Sequence, residues 1–169
     1  MKHPGPGPDR DVASRRRRPP HVEPAPTQRA LALLTRREHS QAELARKLAQ
    51  RGVPVTEAQA VVDRLARDGW QSDARFADAL LRARASGGYG PAYVRAELAN
   101  LHGLSAGVIA AAMDGFEGDW LALARDLARR RHPQAFSGAV TARRKALDFL
   151  LRRGFSMDQA RAALAQSPP

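Results

Sequence analysis

Three glycines, Gly52, Gly103 and Gly154, stand 51 residues apart. Each follows a basic or imidazole residue (Arg51, His102, Arg153) and precedes an apolar one (Val53, Leu104, Phe155). A glycine just past a run of helical periodicity, with an apolar residue next, marks a left-handed C-terminal helix cap, because only glycine takes positive φ without strain. The register persists beyond the glycines. Ala58, Ile109 and Ala160 correspond at the same offset, as do Val61, Ala112 and Ala163, and Val62, Met113 and Leu164. Within a unit these positions are i, i+3 and i+4, one stripe of a helix. A chain built this way is a tandem array of small helical units.

Cap signals place the other helices. Ser156 with Gln159 and Ser40 with Glu43 read as capping boxes, and Ser105 holds the equivalent cap position in the second unit. In the first unit Pro54 falls there, so that helix opens on proline or starts later at Thr56. Pro91, after Gly90, starts a helix with Val94, Leu98 and Leu101, and Thr141 starts one with Leu147, Leu150 and Leu151. Further helices are expected over 28–37, 73–86 and 119–131. Alanine and leucine fill the apolar positions and only 5% of residues are aromatic, which favours helix over sheet. The expected fold is all-α: three tandem three-helix repeats, over 27–70, 71–117 and 118–166, forming an elongated, curved, right-handed-type array. Units this short bury little surface alone, so neighbours must share hydrophobic edges.

Residues 1–26 carry seven of the 12 prolines and the run Arg15, Arg16, Arg17, Arg18. Such a segment cannot build a core and is expected to be a disordered arm, read equally as a nucleic-acid-binding extension or a solubilising one. The whole chain has a formal charge of +11, of which the arm supplies six positive and three negative groups, leaving +8 on the folded body. That excess suggests a polyanionic partner. Arginine outnumbers lysine 25 to 3, which fits a G- and C-rich genome or a selection for bidentate phosphate contacts. With no cysteine, disulfides, thiol nucleophiles and thiolate-ligated metals are excluded. No apolar run approaches the roughly 20 residues that span a bilayer, and the expected location is the cytoplasm.

Catalytic chemistry finds no constellation. The histidines at 3, 21, 39, 102 and 132 are scattered, and no HExxH helix, P-loop or GxSxG elbow is present. Gly87, Gly88, Tyr89 and Gly90 lack the Lys-Ser/Thr of a phosphate cradle and read as a flexible hinge. His39 reads as a turn residue, and Asp63, Asp68, Glu97 and Asp126 as surface ion pairs beside arginines. Trp70 and Trp120 lie near unit boundaries and are expected to join adjacent units. No enzyme activity, cofactor or metal is expected. The arginines are more informative. On a wheel of residues 141–153, Arg144, Lys145, Asp148 and Arg152 cover about one third of the circumference, opposite the leucines. Arg125, Arg129, Arg130 and Arg131 precede them, Arg75 and Arg82 share a face in the second unit, and Arg84 and Arg95 border the glycine cluster. With Arg153, these form the candidate polyanion-facing surface.

At this point the sequence resembles the RecX family of recombination regulators. Arg37, Glu38, His39, Ser40, Glu43 and Leu44 look like its first-repeat signature, and Leu65 to Gly69 with Asp73, Arg75, Phe76 and Ala77 resemble its inter-repeat joint. Gly88, Tyr89, Gly90, Pro91, Val94, Glu97 and Leu98 match its most recognisable stretch, and Lys145, Phe149, Leu150, Arg152, Arg153, Gly154 and Phe155 its third-repeat ending. The resemblance covers residues 27–166. It implies a modulator, usually an inhibitor, of the RecA recombinase in DNA repair and the SOS response, lying in the groove of the RecA–DNA filament. The partners it implies are the RecA filament and, weakly and without sequence preference, DNA; a monomer is expected. Two features depart from the pattern. The proline-rich arm is outside it, and His102 stands where many relatives have lysine. The alternative from the residues alone is a direct, non-specific DNA- or RNA-binding helical protein, although no helix offers the Asn, Gln and Arg cluster that groove reading needs.

Overall fold

A computed structural model describes residues 24–165. Of the proposed arm it describes Pro24, Ala25 and Pro26, and Pro26 already opens the first helix; the expected disorder of the remainder lies outside the described residues. Among the described residues there are nine α-helices and no strand: α1 (Pro26–Leu34), α2 (Gln41–Ala49), α3 (Val55–Arg67), α4 (Asp73–Ser86), α5 (Pro91–Asn100), α6 (Ala106–Asp114), α7 (Trp120–Arg131), α8 (Val140–Arg152) and α9 (Met157–Ala163). One 3₁₀ turn, Pro133–Phe136, joins α7 to α8. The principal helix packing is confined to α1–α3, α4–α6 and α7–α9, apart from α4 meeting α7.

The repeated glycines shape each unit. Gly52, Gly103 and Gly154 have φ of +83°, +66° and +89°. The residue after each donates its N–H back into the preceding helix: Val53 to Leu48 (3.2 Å), Leu104 to Leu98 (3.1 Å) and Phe155 to Leu150 (3.2 Å). Those returns satisfy carbonyls that the helix end leaves open and turn the apolar side chain inward. Val53, Leu104 and Phe155 are accordingly buried, as are all nine residues of the stripe carried by α3, α6 and α9.

Three separate cores result. The first centres on Leu44, Leu48, Val61, Val62 and Leu65, and the second on Phe76, Leu81, Val94, Leu98 and Met113. The third is thinner, with six alanines among its ten buried residues. Alanine buries few methylenes, each worth about 0.8 kcal/mol, so this unit leans on the half-buried Trp120, Phe136, Leu147 and Phe149 around it.

Local expectations meet tertiary forces at several points. Ser156 and Gln159 form the full reciprocal box. Ser40 accepts from the Glu43 N–H (3.1 Å), but the Glu43 carboxylate turns to Arg37 instead of returning to the cap, so that box is half made. Pro54 becomes the N-cap itself, placing the start of α3 at Val55. Trp120 packs on both the second and third cores, whereas Trp70 is 62% exposed and joins no units.

The segment Gly87–Gly90 is a packed joint, not a flexible hinge. The Gly90 N–H donates to the Arg153 carbonyl (2.7 Å) and the Ala92 N–H to that of Gly154 (3.0 Å). A Cβ on Gly90 would stand 2.5 Å from the Gly154 backbone, and one on Gly154 would stand 2.5 Å from Tyr93 N. Around Gly52 the same atom would meet nothing within 4 Å. Gly52→Ala should therefore cost only its backbone strain, about 1–2 kcal/mol. Gly154→Ala adds a backbone collision and should cost about 3 kcal/mol or more. Urea unfolding of the two variants tests this, and equal losses would show that the joint yields freely.

Candidate functional site

The arginines divide by task. In the joint between the first two units, Arg75 donates from Nε to Glu38 Oε1 (2.8 Å) and from Nη2 to the Gly69 and Trp70 carbonyls (3.2 and 3.0 Å). Beside it Asp73 Oδ1 accepts from the Gln41 N–H and from Gln71 Nε2, both at 2.9 Å, and Gln71 also donates to the His39 carbonyl (3.0 Å). Arg84 clamps Glu97 with two hydrogen bonds, 2.7 and 2.6 Å, linking α4 to α5. Arg125 reaches the Ala162 carbonyl (3.1 Å) and ties α7 to α9. Arg153 stacks on Tyr89 and Phe149 across the second joint. Four of the candidate basic residues thus hold the fold together.

Two buried glutamates organise the first two units. Glu97 is 7% exposed and not the surface partner expected; Glu43 is 5% exposed. Arg37 donates to both Glu43 oxygens, one at 3.2 Å, and Lys47 Nζ stands 3.8 Å away. His39, itself buried, brings Nδ1 to 3.1 Å from Glu43 without the alignment of a hydrogen bond. Burial opposes ionisation of Glu43, but the Arg37 hydrogen bonds and the charges of His39 and Arg37 outweigh it and hold the carboxyl below its ordinary range. For Glu97 the Arg84 hydrogen bonds are the largest influence; with the charges of Arg84 and His102 they overcome burial and depress the pKa. Burial keeps His39 below its ordinary value, against the pull of Glu43.

The remaining candidates face outward. Arg82, Arg95, Arg129, Arg130, Arg131, Arg144, Lys145 and Arg152 are exposed. Arg130 pairs with Asp126 at the surface (2.9 Å), and Arg129 lies 5.7 Å over the Phe136 ring. Arg82 edges a cleft of about 660 Å³ that also contains Asp78 and Glu117. Arg144 shares a groove of about 420 Å³ with Arg143, Arg161, Val140, Leu147 and Leu164.

Charge is uneven along the array. Residues 119–165 hold ten positive and four negative groups, residues 27–70 eight and five, and residues 71–118 four and five. Eight of the ten cations in the third unit are exposed: Arg129, Arg130, Arg131, Arg143, Arg144, Lys145, Arg152 and Arg161. The largest cationic excess of the folded chain is therefore that of α7–α9, with a smaller one on the first unit and none on the middle unit. Sequence reasoning did not single out Arg143 and Arg161, nor the clustering of aromatic rings at the second joint. The concentration of charge was legible by counting within each repeat. The internal arginine pairs were not, because Arg84 and Glu97 are 13 residues apart on different helices.

Among the described residues no group of three metal-ligating side chains converges, and no helix is long and apolar enough to cross a membrane. Comparisons with known proteins are consistent along the chain. Models of the first, second and third three-helix domains of RecX match residues 27–65, 72–113 and 117–164. The chain is 54% identical to the regulatory protein RecX of Stenotrophomonas maltophilia strain K279a, over 94% of its length and 96% of the relative's. It is 55% identical to that of Xanthomonas axonopodis pv. citri strain 306, over 83% and 86%. Among solved structures, RecX from Lactobacillus salivarius superposes with a TM-score of 0.70 at 17% identity, over 82% of this chain and 92% of that one.

The directions of the three shifts set the pH dependence. Glu43 and Glu97 ionise more readily when folded, so their contribution is complete above the ordinary value of 4.5 and is lost as pH falls through their folded values. His39 takes a proton less readily when folded, so protonation favours the unfolded chain as pH falls below 6.5. Stability should decline gently below pH 6.5 and steeply below 4.5. Glu97→Gln should lower stability by about 2 kcal/mol at neutral pH and flatten the acid limb. Chemical unfolding across a pH series checks both; an unaltered acid limb would remove Glu97 from the account.

Proposed function

The chain belongs to the RecX family of regulatory proteins, and from that premise we propose that it binds the RecA–DNA filament in the cytoplasm and restrains recombinase activity during DNA repair and the SOS response. The observation that carries this reading is the exposed cationic face of the third unit, set at one end of an array whose middle unit has no excess positive charge. A polyanion held by one end leaves the other units to touch protein. Binding, not turnover, is the activity proposed: among the described residues no side chains are seen to gather a nucleophile, a base and a charge stabiliser together.

Tandem units suit a repetitive target. Each unit has its own core and its own turn, so the array presents successive similar surfaces, as a filament of identical subunits does. A monomer is sufficient for that geometry. Sequence-specific groove reading has less support, because the exposed cations include eight on three neighbouring helices and are not gathered at the start of one recognition helix.

Reversing Arg144, Lys145 and Arg152 to glutamate should weaken filament binding and relieve inhibition while the helical fold persists, since all three are exposed. Bare DNA should bind weakly, with a log–log salt slope of about −0.7 to −0.9 per phosphate neutralised. At equal salt the filament should bind more tightly, through protein contacts that release no counterions. Strand-exchange inhibition and filament binding by the triple variant provide the test. Full inhibition by that variant would show the face to be solvated surface, and a sequence-specific duplex that outcompetes the filament would favour direct DNA recognition.

A further inference from the structure

Five side chains from four elements stand in succession along the joint between the second and third units. Tyr93 stacks on Tyr89 with ring centroids 4.3 Å apart and planes inclined by 28°. The Arg153 guanidinium lies 4.7 Å over Tyr89 and 5.3 Å over Phe149. His132 closes the series, 4.9 Å from Phe149. Both tyrosines of the chain are in this ladder.

Three features distinguish the ladder from a core cluster. First, Tyr93 is 37% exposed and Tyr89, Phe149, His132 and Arg153 are half-buried, whereas the core rings Phe76 and Phe155 are each 3% exposed. Second, exposed cations flank it. Lys145 and Arg152 lie at i−4 and i+3 from Phe149 on α8, and Arg131 adjoins His132. Asp148 is the one acid among residues 140–152. Third, the joint's own hydrogen bonds already fix its backbone, so the rings are not needed to close it.

We infer that the ladder Tyr93–Tyr89–Arg153–Phe149–His132 is a stacking track for a single-stranded nucleic acid, with Lys145, Arg152 and Arg131 neutralising its phosphates. The inference deepens the filament reading and rests on its assignment of the third unit to nucleic acid. Every base has a π face, so stacking holds a strand without regard to sequence, and a duplex keeps those faces covered. Charge alone attracts both forms; the rings distinguish them. Tyr93, the most exposed member, is where a base enters the series.

The test uses the full chain, a dye-labelled thymidine oligonucleotide and a mixed-sequence duplex of equal length, followed by fluorescence anisotropy across a salt series. Tyr93→Leu keeps the Cβ that packs on Gly154 but removes the π face; Tyr93→Phe keeps the face. The leucine variant should bind the oligonucleotide about tenfold more weakly with its salt slope unchanged, bind duplex as before, and be rescued by phenylalanine. Unchanged oligonucleotide binding, an equal loss for both nucleic acids, or no rescue would each overturn the inference. Should the leucine variant not fold by circular dichroism, photocrosslinking of an iodouridine oligonucleotide to the unaltered chain decides the matter. Adducts on Tyr89 or Tyr93 support the track, and adducts confined to other residues refute it. A selective loss in the leucine variant, together with no filament binding or inhibition by the unaltered chain, would leave the track standing and sink the filament reading; unchanged oligonucleotide binding by the leucine variant, with filament inhibition by the unaltered chain, would sink the track alone.

Discussion

The left-handed glycine turn is the constraint on which the rest of the structure depends. A helix that ends without it leaves open carbonyls and sends the chain outward. With positive φ at one residue, the next N–H returns to the helix and the next side chain enters the core. That turn sets the angle at which α3, α6 and α9 lay their apolar stripes on the helices before them. The third turn has an additional task. Its carbonyls at Arg153 and Gly154 receive the N–H groups of Gly90 and Ala92, so a cap that closes the third unit also docks the second. Glycine is needed there for two separate reasons: backbone angle at Gly154, and backbone approach at Gly90.

Charge in this protein has two uses that the sequence does not separate. Arg37 and Arg84 each neutralise a buried glutamate, and such a carboxylate would be costly without its partner. These pairs specify which helices meet, while adding nothing to the outward field. After them the middle unit has three exposed cations, Arg82, Arg95 and the Glu38-paired Arg75, beside the half-buried Asp78 and the exposed Asp114 and Glu117. The third unit has no buried carboxylate to neutralise, and its cations are free to face solvent. An array with its largest cationic excess at one end and a balanced centre orients on a polyanion rather than lying on it indifferently.

The features legible in the sequence are those whose cause is local. The glycine caps, the serine caps and the i, i+3, i+4 stripe arise from forces within a few residues, and the structure places each within a residue or two of its expected position. The features that were misread have distant causes. Gly87–Gly90 has the composition of a hinge, and only contact with the Arg153–Phe155 turn makes it rigid. Glu97 looks like any helical acid beside an arginine until Arg84 reaches it from another helix. Trp70 is large enough to join units, yet the polar network of His39, Gln71, Asp73 and Arg75 occupies that joint instead. The candidate surface was legible only as an excess of arginine; its division into bracing and outward residues required the folded chain.

The two joints differ in the physics that holds them, and this bears on what each can do. The first is made of side-chain hydrogen bonds, those of the buried Gln71 and an exposed Arg75–Glu38 pair that water and salt can replace at modest cost. The second is made of backbone hydrogen bonds between glycine-lined strands of chain, with rings stacked along its edge and Trp120 beneath. Backbone approach leaves little freedom to slide, because a shift moves two N–H groups off their acceptors together. The backbone-to-backbone joint thus fixes the second boundary more tightly than the first, and it is there that the most cationic unit and the aromatic ladder meet.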